Sequence, residues 1–263
     1  MAQKHKRRDH ETAFADRFRK YAPEDGQIVR TKSQGTSATM EAIRKAWFSF
    51  RFIDPSENGG INLNSGDYTY FKVIFSLAIL KNVTICPKDV SEFSLAIKEF
   101  ENEDSFPLKA GLFLSALVAL GPIGEYVIMT NHLEKRLDGL GYRNTKKKII
   151  RIQGDAGDFL GDRMRGGRII VMGNAGDSIG SYMISGKIIV EGNAGNDTGY
   201  AMFGGVIIIK GDTGKRIGYD SDGGVIRLEG GYLHIKNPRE WEEHNCNARI
   251  FHKGKLIHGG DSG

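Results

Sequence analysis

Between residues 149 and 230 a unit of 19 residues is written out four times and begun a fifth, and no other feature constrains the fold as much. The copies read IIRIQGDAGDFLGDRMRGGR, with one extra residue, then IIVMGNAGDSIGSYMISGK, IIVEGNAGNDTGYAMFGGV and IIIKGDTGKRIGYDSDGGV, before IRLEGGY breaks off. Glycine marks the period: Gly154, Gly173, Gly192, Gly211 and Gly230 stand 19 apart. A repeat this strict implies stacked equivalent units, because one copy is too small to bury an apolar face alone and must use its neighbour's.

Each copy opens with an apolar run too short for a helix and rich in β-branched residues, which suits a strand. Ile150, Ile169, Ile188, Ile207 and Ile226 recur at one position, and Ile152, Val171, Val190, Ile209 and Leu228 two residues later, so both sets point to one side of a strand. Leu160, Ile179 and Ile217, with Met164, Met183 and Met202, form a second apolar set, and Ala156, Ala175 and Ala194 mark a narrow place. Intervening glycines permit the turns. Asp155, Asn174, Asn193 and Asp212 form a polar column read as structural. The expected fold is α+β: a mainly helical N-terminal region followed by a right-handed parallel β-helix with 19-residue coils.

Ahead of the repeats, residues 1–10 read as a basic flexible tail and 11–124 as a mainly α region. Apolar spacing predicts a short helix near 11–21, a firmer one over 39–50 with Ile43, Ala46, Trp47 and Phe50 on one face, and a helix from Pro87 to Phe100. Residues 61–86 fit helix or strand, and 108–120 reads as a helix apolar nearly all round, ended by Gly121 and Pro122. The β-helix is bounded at 125–233, its first coil, 125–145, being degenerate. Residues 234–263 form a C-terminal cap, with a closing hairpin from 248–251 and 255–258.

The 40% hydrophobic content suffices for a core without disulfides. Cys86 and Cys246 form no CxxC, and no signal-like apolar stretch opens the chain, so a reduced, cytoplasmic protein is expected. The longest apolar run, 112–120, is about half of what a membrane span needs. A net charge of +5 is concentrated partly in Lys4, Lys6, Arg7 and Arg8 and in Lys146, Lys147, Lys148 and Arg151. Without a nucleic-acid-binding module, such short runs read as solvated.

The GNAG, IG and GG rhythm with its IIxx strand, as in GNAGDSIGSYMISGKIIVEGNAG, resembles the GXGXG β-helix family. That fold is shared by the C-terminal domain of glutamate synthase large subunits and by the β-helical subunit of formylmethanofuran dehydrogenase. The resemblance covers roughly residues 125–230. It implies a scaffold that holds catalytic domains or subunits in place while amidotransfer, flavin, iron-sulfur, tungsten or molybdenum chemistry happens elsewhere. This chain carries no cysteine cluster for an iron-sulfur centre. The resulting expectation is a non-catalytic scaffold or accessory subunit of a redox or amidotransferase complex, without a cofactor of its own. Its partners would be other protein subunits, with homo-oligomerisation left open.

Several residues carry candidate chemistry. Tyr182, Tyr200 and Tyr219, near Arg163, Arg165, Arg168 and Lys187, combine aromatics and cations on the outer faces, the composition of interface anchors. Gly176 to Gly180 satisfies GxSxG, which makes Ser178 the nucleophile of an alternative, esterase-like reading. That chemistry needs a strand, a sharp turn and a helix, whereas here the motif is one corner of a repeat, with Phe159 and Asp197 at the serine's place. A second alternative is a metal- or small-molecule-binding module built on His244, Cys246, His252 and His258, whose spacing matches no standard zinc finger. Calcium is disfavoured: β-roll units are nine residues long, and Asn196 and Lys215 replace Asp158 and Asp177 at equivalent levels. Cys86, beside Pro87, reads as buried and inert.

Overall fold

A computed structural model describes residues 38–49, 80, 83–232 and 246–259, all of them within one compact unit, Ser37–Gly263. The expected helix near 11–21, most of 61–86, Phe50 and His244 lie outside the described residues.

Three α-helices are described: α1 (Ala38–Ser49), α2 (Pro87–Ala96), which runs on as a 3-10 turn (Ile97–Phe100), and α3 (Phe106–Leu120). Helix α2 starts at Cys86, whose backbone N–H donates to Asp89 Oδ2 at 2.8 Å, and Pro87 sits where a missing N–H costs nothing. Cys86 itself is half-buried rather than fully buried. Trp47 of α1 meets Phe93, Phe100, Phe106 and Phe113, with ring centroids between 5.1 and 6.4 Å apart. Its indole N–H donates to Glu103 at 3.1 Å, and Lys109 Nζ lies 4.1 Å from the ring centroid while pairing with Glu103 at 2.6 Å.

The strands form a single sheet in chain order: β1 (Gly124–Met129), β2 (Lys148–Gln153), β3 (Arg165–Val171), β4 (Ser185–Val190), β5 (Val206–Ile209), β6 (Val225–Leu228), β7 (Arg249–His252) and β8 (Lys255–His258). Pairing is parallel from β1 through β7; β7 and β8 close the order as an antiparallel hairpin. From β2 to β6 the register steps by one repeat, so that Ile150, Ile169, Ile188, Ile207 and Ile226 stand side by side. All five are buried, as are Leu160, Ile179, Met164, Met183 and Met202. The core lies against this face of the sheet.

This corrects the expected architecture. The repeats supply β2 to β6 of one open, mostly parallel eight-stranded sheet, accompanied among the described residues by three α-helices, and this is not the expected β-helix with a helical N-terminal region. The physical reason lies in the rest of each unit. Only one segment per copy forms a strand; the remainder turns through left-handed positions, such as Phe159, Ser178 and Asp197 (φ 58°, 61° and 59°) and Gly180 (φ 67°), which interrupt a strand ladder. Successive turns still stack through single backbone bonds, for example Gly192 N–H to the Gly173 carbonyl at 2.9 Å.

Side chains fix the spacing between turns. Asp155, Asn174, Asn193 and Asp212 each accept, through Oδ1, the backbone N–H of the residue 19 positions on, at 2.6 to 2.9 Å. A second ladder does the same through Asp158, Asp177 and Asn196, and Asp138 extends it toward β1 by accepting Asp158 N–H at 2.9 Å. These oxygens occupy the space beside the repeat glycines: a Cβ on Gly173 would fall 2.2 Å from Asp155 Oδ1.

The helices secure the β1 end. Ser94 of α2 accepts the N–H of Met129 at 3.0 Å, which covers a group on the sheet edge that would otherwise invite another strand. Lys148 of β2 donates from Nζ to the carbonyls of Val118, Ala119 and Gly121 at 2.6, 2.7 and 2.8 Å, satisfying the end of α3. Burial holds its pKa below the ordinary lysine value. No helix among the described residues is long and apolar enough to cross a membrane.

Candidate protein interface

The most distinctive surface lies on the turns that precede β3 to β6. In each copy one residue, Met164, Met183, Met202 or Ser221, is buried, and the residues flanking it are turned outward. Left-handed backbone at Arg163, Tyr182, Ala201 and Asp220 (φ 53°, 53°, 49° and 54°) sets one outward column. Asp162, Ser181, Tyr200 and Tyr219 form the column before it, and Arg165, Ile184, Phe203 and Asp222 the column after the methionines. Backbone bonds from Ile184, Phe203 and Asp222 to the carbonyls of Met164, Met183 and Met202 keep these levels in step.

Aromatic rings bridge the first two columns. The Arg163 guanidinium carbon lies 4.7 Å from the Tyr182 ring centroid. Tyr182 meets Tyr200 edge-on at 5.7 Å, and Tyr200 stacks on Tyr219 at 5.9 Å and 26°. Such a row is rigid, amphipathic and rich in ring surface, which is what a protein-binding anchor needs. Tyr200 has its pKa raised, chiefly by its hydrogen bond with Tyr182 and then by burial.

Asp162, at the foot of the tyrosine column, is nearly buried beside Arg163, with 3.8 Å between the charged atoms. Burial pushes its pKa up to about 7 against the opposing pull of Arg163 and Arg143. Sequence reasoning missed this residue, since Ser181, Tyr200 and Tyr219 hold its place in the other copies. That exception is the signal that could have drawn attention to it.

Of the expected cations, Arg163 lies over the Tyr182 ring, whereas Arg168 and Lys187 stand on β3 and β4, where the register pairs them with each other. Gly154, Gly173, Gly192 and Gly211 lie just after the strands, the last three beside the side-chain oxygens of Asp155, Asn174 and Asn193.

Ser178 occupies a left-handed turn position between Phe159 and Asp197 in the stack, and the chain runs on from it into β4. Its backbone N–H donates to the Asn196 carbonyl at 2.8 Å, and its own carbonyl accepts the Ser181 hydroxyl at 3.0 Å. Arg216 forms a two-bond pair with Asp197 one level on. This is the geometry of a stacked corner, without the strand-turn-helix setting that presents a nucleophile.

Of the C-terminal group, Cys246 is buried and lies 3.6 Å from the Ser221 hydroxyl; burial raises its thiol pKa. His258 Nε2 meets the Cys246 carbonyl at 2.7 Å, whereas His252 Nε2 meets the Gly230 carbonyl at 3.0 Å and its ring packs edge-on against Tyr232. Each ring nitrogen facing a carbonyl serves as a donor there; the bond from His252 ties the hairpin to the last repeat, and that from His258 ties the hairpin to its own lead-in segment. Among the described residues, no group of three or more His, Cys, Asp or Glu side chains is arranged to hold a metal ion.

A small cavity of about 60 Å³ lies between α3 and the first turn, lined by Ser115, Tyr142, Asn144 and Lys148 among others. That is well below the several hundred Å³ typical of a small-molecule site. Comparison of the chain with protein-family models, with curated proteins and with solved structures gives no match in any of the three.

Proposed function

We propose that this chain is a non-catalytic scaffold or accessory subunit that holds other protein chains of an enzyme assembly. The observation that carries the reading is the outward row from Arg163 through Tyr182 and Tyr200 to Tyr219, fixed in place by the repeat beneath it. Rigid rings beside an arginine lose little side-chain entropy on binding and bring large contact area. Support also comes from what surrounds the row: two ladders of side-chain-to-backbone bonds space the turns rigidly, as a binding platform requires. The sequence resemblance points to redox or amidotransferase chemistry in the partner, and we place this chain in that setting.

The test is affinity purification of the tagged full chain from its native host, with mass spectrometry of what stays bound at moderate salt. A catalytic subunit recovered in fixed ratio, and lost from Tyr182→Ala and Tyr200→Ala variants that melt normally, is the expected result. Recovery undiminished by those variants overturns the assignment of the surface, and recovery of the chain alone overturns the accessory role.

A further inference from the structure

The column after the methionines changes character in order along the stack. Its first level is the cation Arg165, its second and third are Ile184 and Phe203, and its fourth is the anion Asp222. The two apolar members are 51% and 54% exposed, which is unusual for large hydrophobic side chains on consecutive levels. Arg165 and Asp222 are exposed as well, and among the described residues neither has an ion-pair partner. The neighbouring column has the same polarity, with Arg163 at the first level and Asp220 at the fourth. Arg143 adds a third cation close to Arg163 and Arg165, and the positive charges of those two lower its pKa further after burial has done so.

A surface that reads cation, apolar, apolar, anion in order is complementary to itself when turned end for end. The turns step by about the 4.8 Å of the parallel strands they lead into, with one register shift at the first level, where Arg165 pairs with Ser185. A two-fold axis between the second and third levels superposes level one on level four and level two on level three, as an isologous contact requires. We propose that a second copy of this chain docks on the column of Arg165, Ile184, Phe203 and Asp222 about such an axis. Ile184 of each copy then covers Phe203 of the other, and Arg165 of each faces Asp222 of the other. The apolar pair sits at the centre and the charges at the rim, where they set register and orientation. Run parallel, the same surfaces would oppose arginine to arginine and aspartate to aspartate, so the charges select one arrangement. The proposal goes beyond the accessory-subunit reading and stands apart from it, because it uses this column and a different experiment.

Sedimentation equilibrium of the full chain, from low micromolar to several hundred micromolar, tests it. Dimerisation that weakens with salt is expected. Arg165→Glu and Asp222→Arg should each weaken it by about tenfold or more. The variant carrying both changes should recover to within about threefold of the original, since each reversed charge again meets its opposite. Phe203→Ser should abolish the dimer; thermal melts of every variant check that these exposed positions leave the fold intact. A monomer at all concentrations overturns the proposal, and so does a dimer unaffected by the single charge reversals or not restored by the double one.

Discussion

The Oδ1 atom of Asp177 accepts the backbone N–H of Asn196, one repeat on, at 2.7 Å, and so takes up the space that any side chain at Gly195 would need. A Cβ at residue 195 would lie 1.9 Å from that oxygen and 2.9 Å from the Asp177 nitrogen. Gly195→Ala should therefore cost about 2–4 kcal/mol, combining overpacking with a lost hydrogen bond. Gly124→Ala, where a Cβ meets nothing within 4 Å, should change stability by less than about 1 kcal/mol. Urea melts of the two variants make the comparison. Combining Asp177→Ala with Gly195→Ala should cost less than the sum, since the first removes the oxygen that the second strikes.

Asp162 gives the fold a pH dependence of definite sign. Its carboxyl pKa is raised from 3.8 to about 7 by burial, so between those values the folded state holds a proton that the unfolded state has released. Its contribution to stability is then complete below about pH 4 and is lost as pH rises through about 7, with a slope of at most about 1.4 kcal/mol per pH unit. Asp162→Asn should remove this component, flattening the stability profile over that window and raising the melting temperature relative to the original chain above pH 7. Thermal melts at half-unit pH steps show it; an unchanged profile would refute the assignment.

Lys148 is the tie between α3 and β2. Its ammonium donates to three carbonyls at the end of the helix, in a place where burial already disfavours the charge. Lys148→Met keeps the apolar stem but leaves buried carbonyls without a donor, which should cost about 2–4 kcal/mol. Hydrogen exchange should report the loss first in the last turn of α3, ahead of the repeats.

The strand register is legible in the residues alone, because Ile150 and its equivalents recur at an unvarying interval and a period-two partner follows each of them. So are α3, from its apolar run, and the hairpin β7–β8. The expected closure into a β-helix fails because the period reports equivalence between copies and does not report which part of a copy forms strand. The second ladder is hidden for a different reason: Asp158 and Asp177 look like weak metal ligands, and Asp138 lies 20 residues before Asp158, off the period. That something ahead of the repeats covers the β1 end follows from the need to close an open edge, but the residue that does so, Ser94, has no sequence signal, since any hydroxyl can meet such an edge. At the candidate interface the tyrosines and the neighbouring cations are visible as a composition, whereas which cation meets a ring, Arg163 on Tyr182, depends on turn geometry.

Ser178 offers a test that separates a strained corner from a reactive one. Its φ of 61° places an L side chain in the left-handed region, where the same position in neighbouring copies is also left-handed. That conformation costs a non-glycine residue roughly 1 kcal/mol, although glycine gives back part of the gain through the greater entropy of its unfolded chain. Ser178→Gly should therefore leave stability unchanged or raise it by up to about 1 kcal/mol, and Ser178→Val, whose branched Cβ tolerates this region worst, should lower it by more than that. Melts of the two variants check the order. If the hydroxyl were instead a nucleophile, Ser178→Gly would abolish labelling by a serine-directed fluorophosphonate, so the original chain is expected to show no such labelling at this residue.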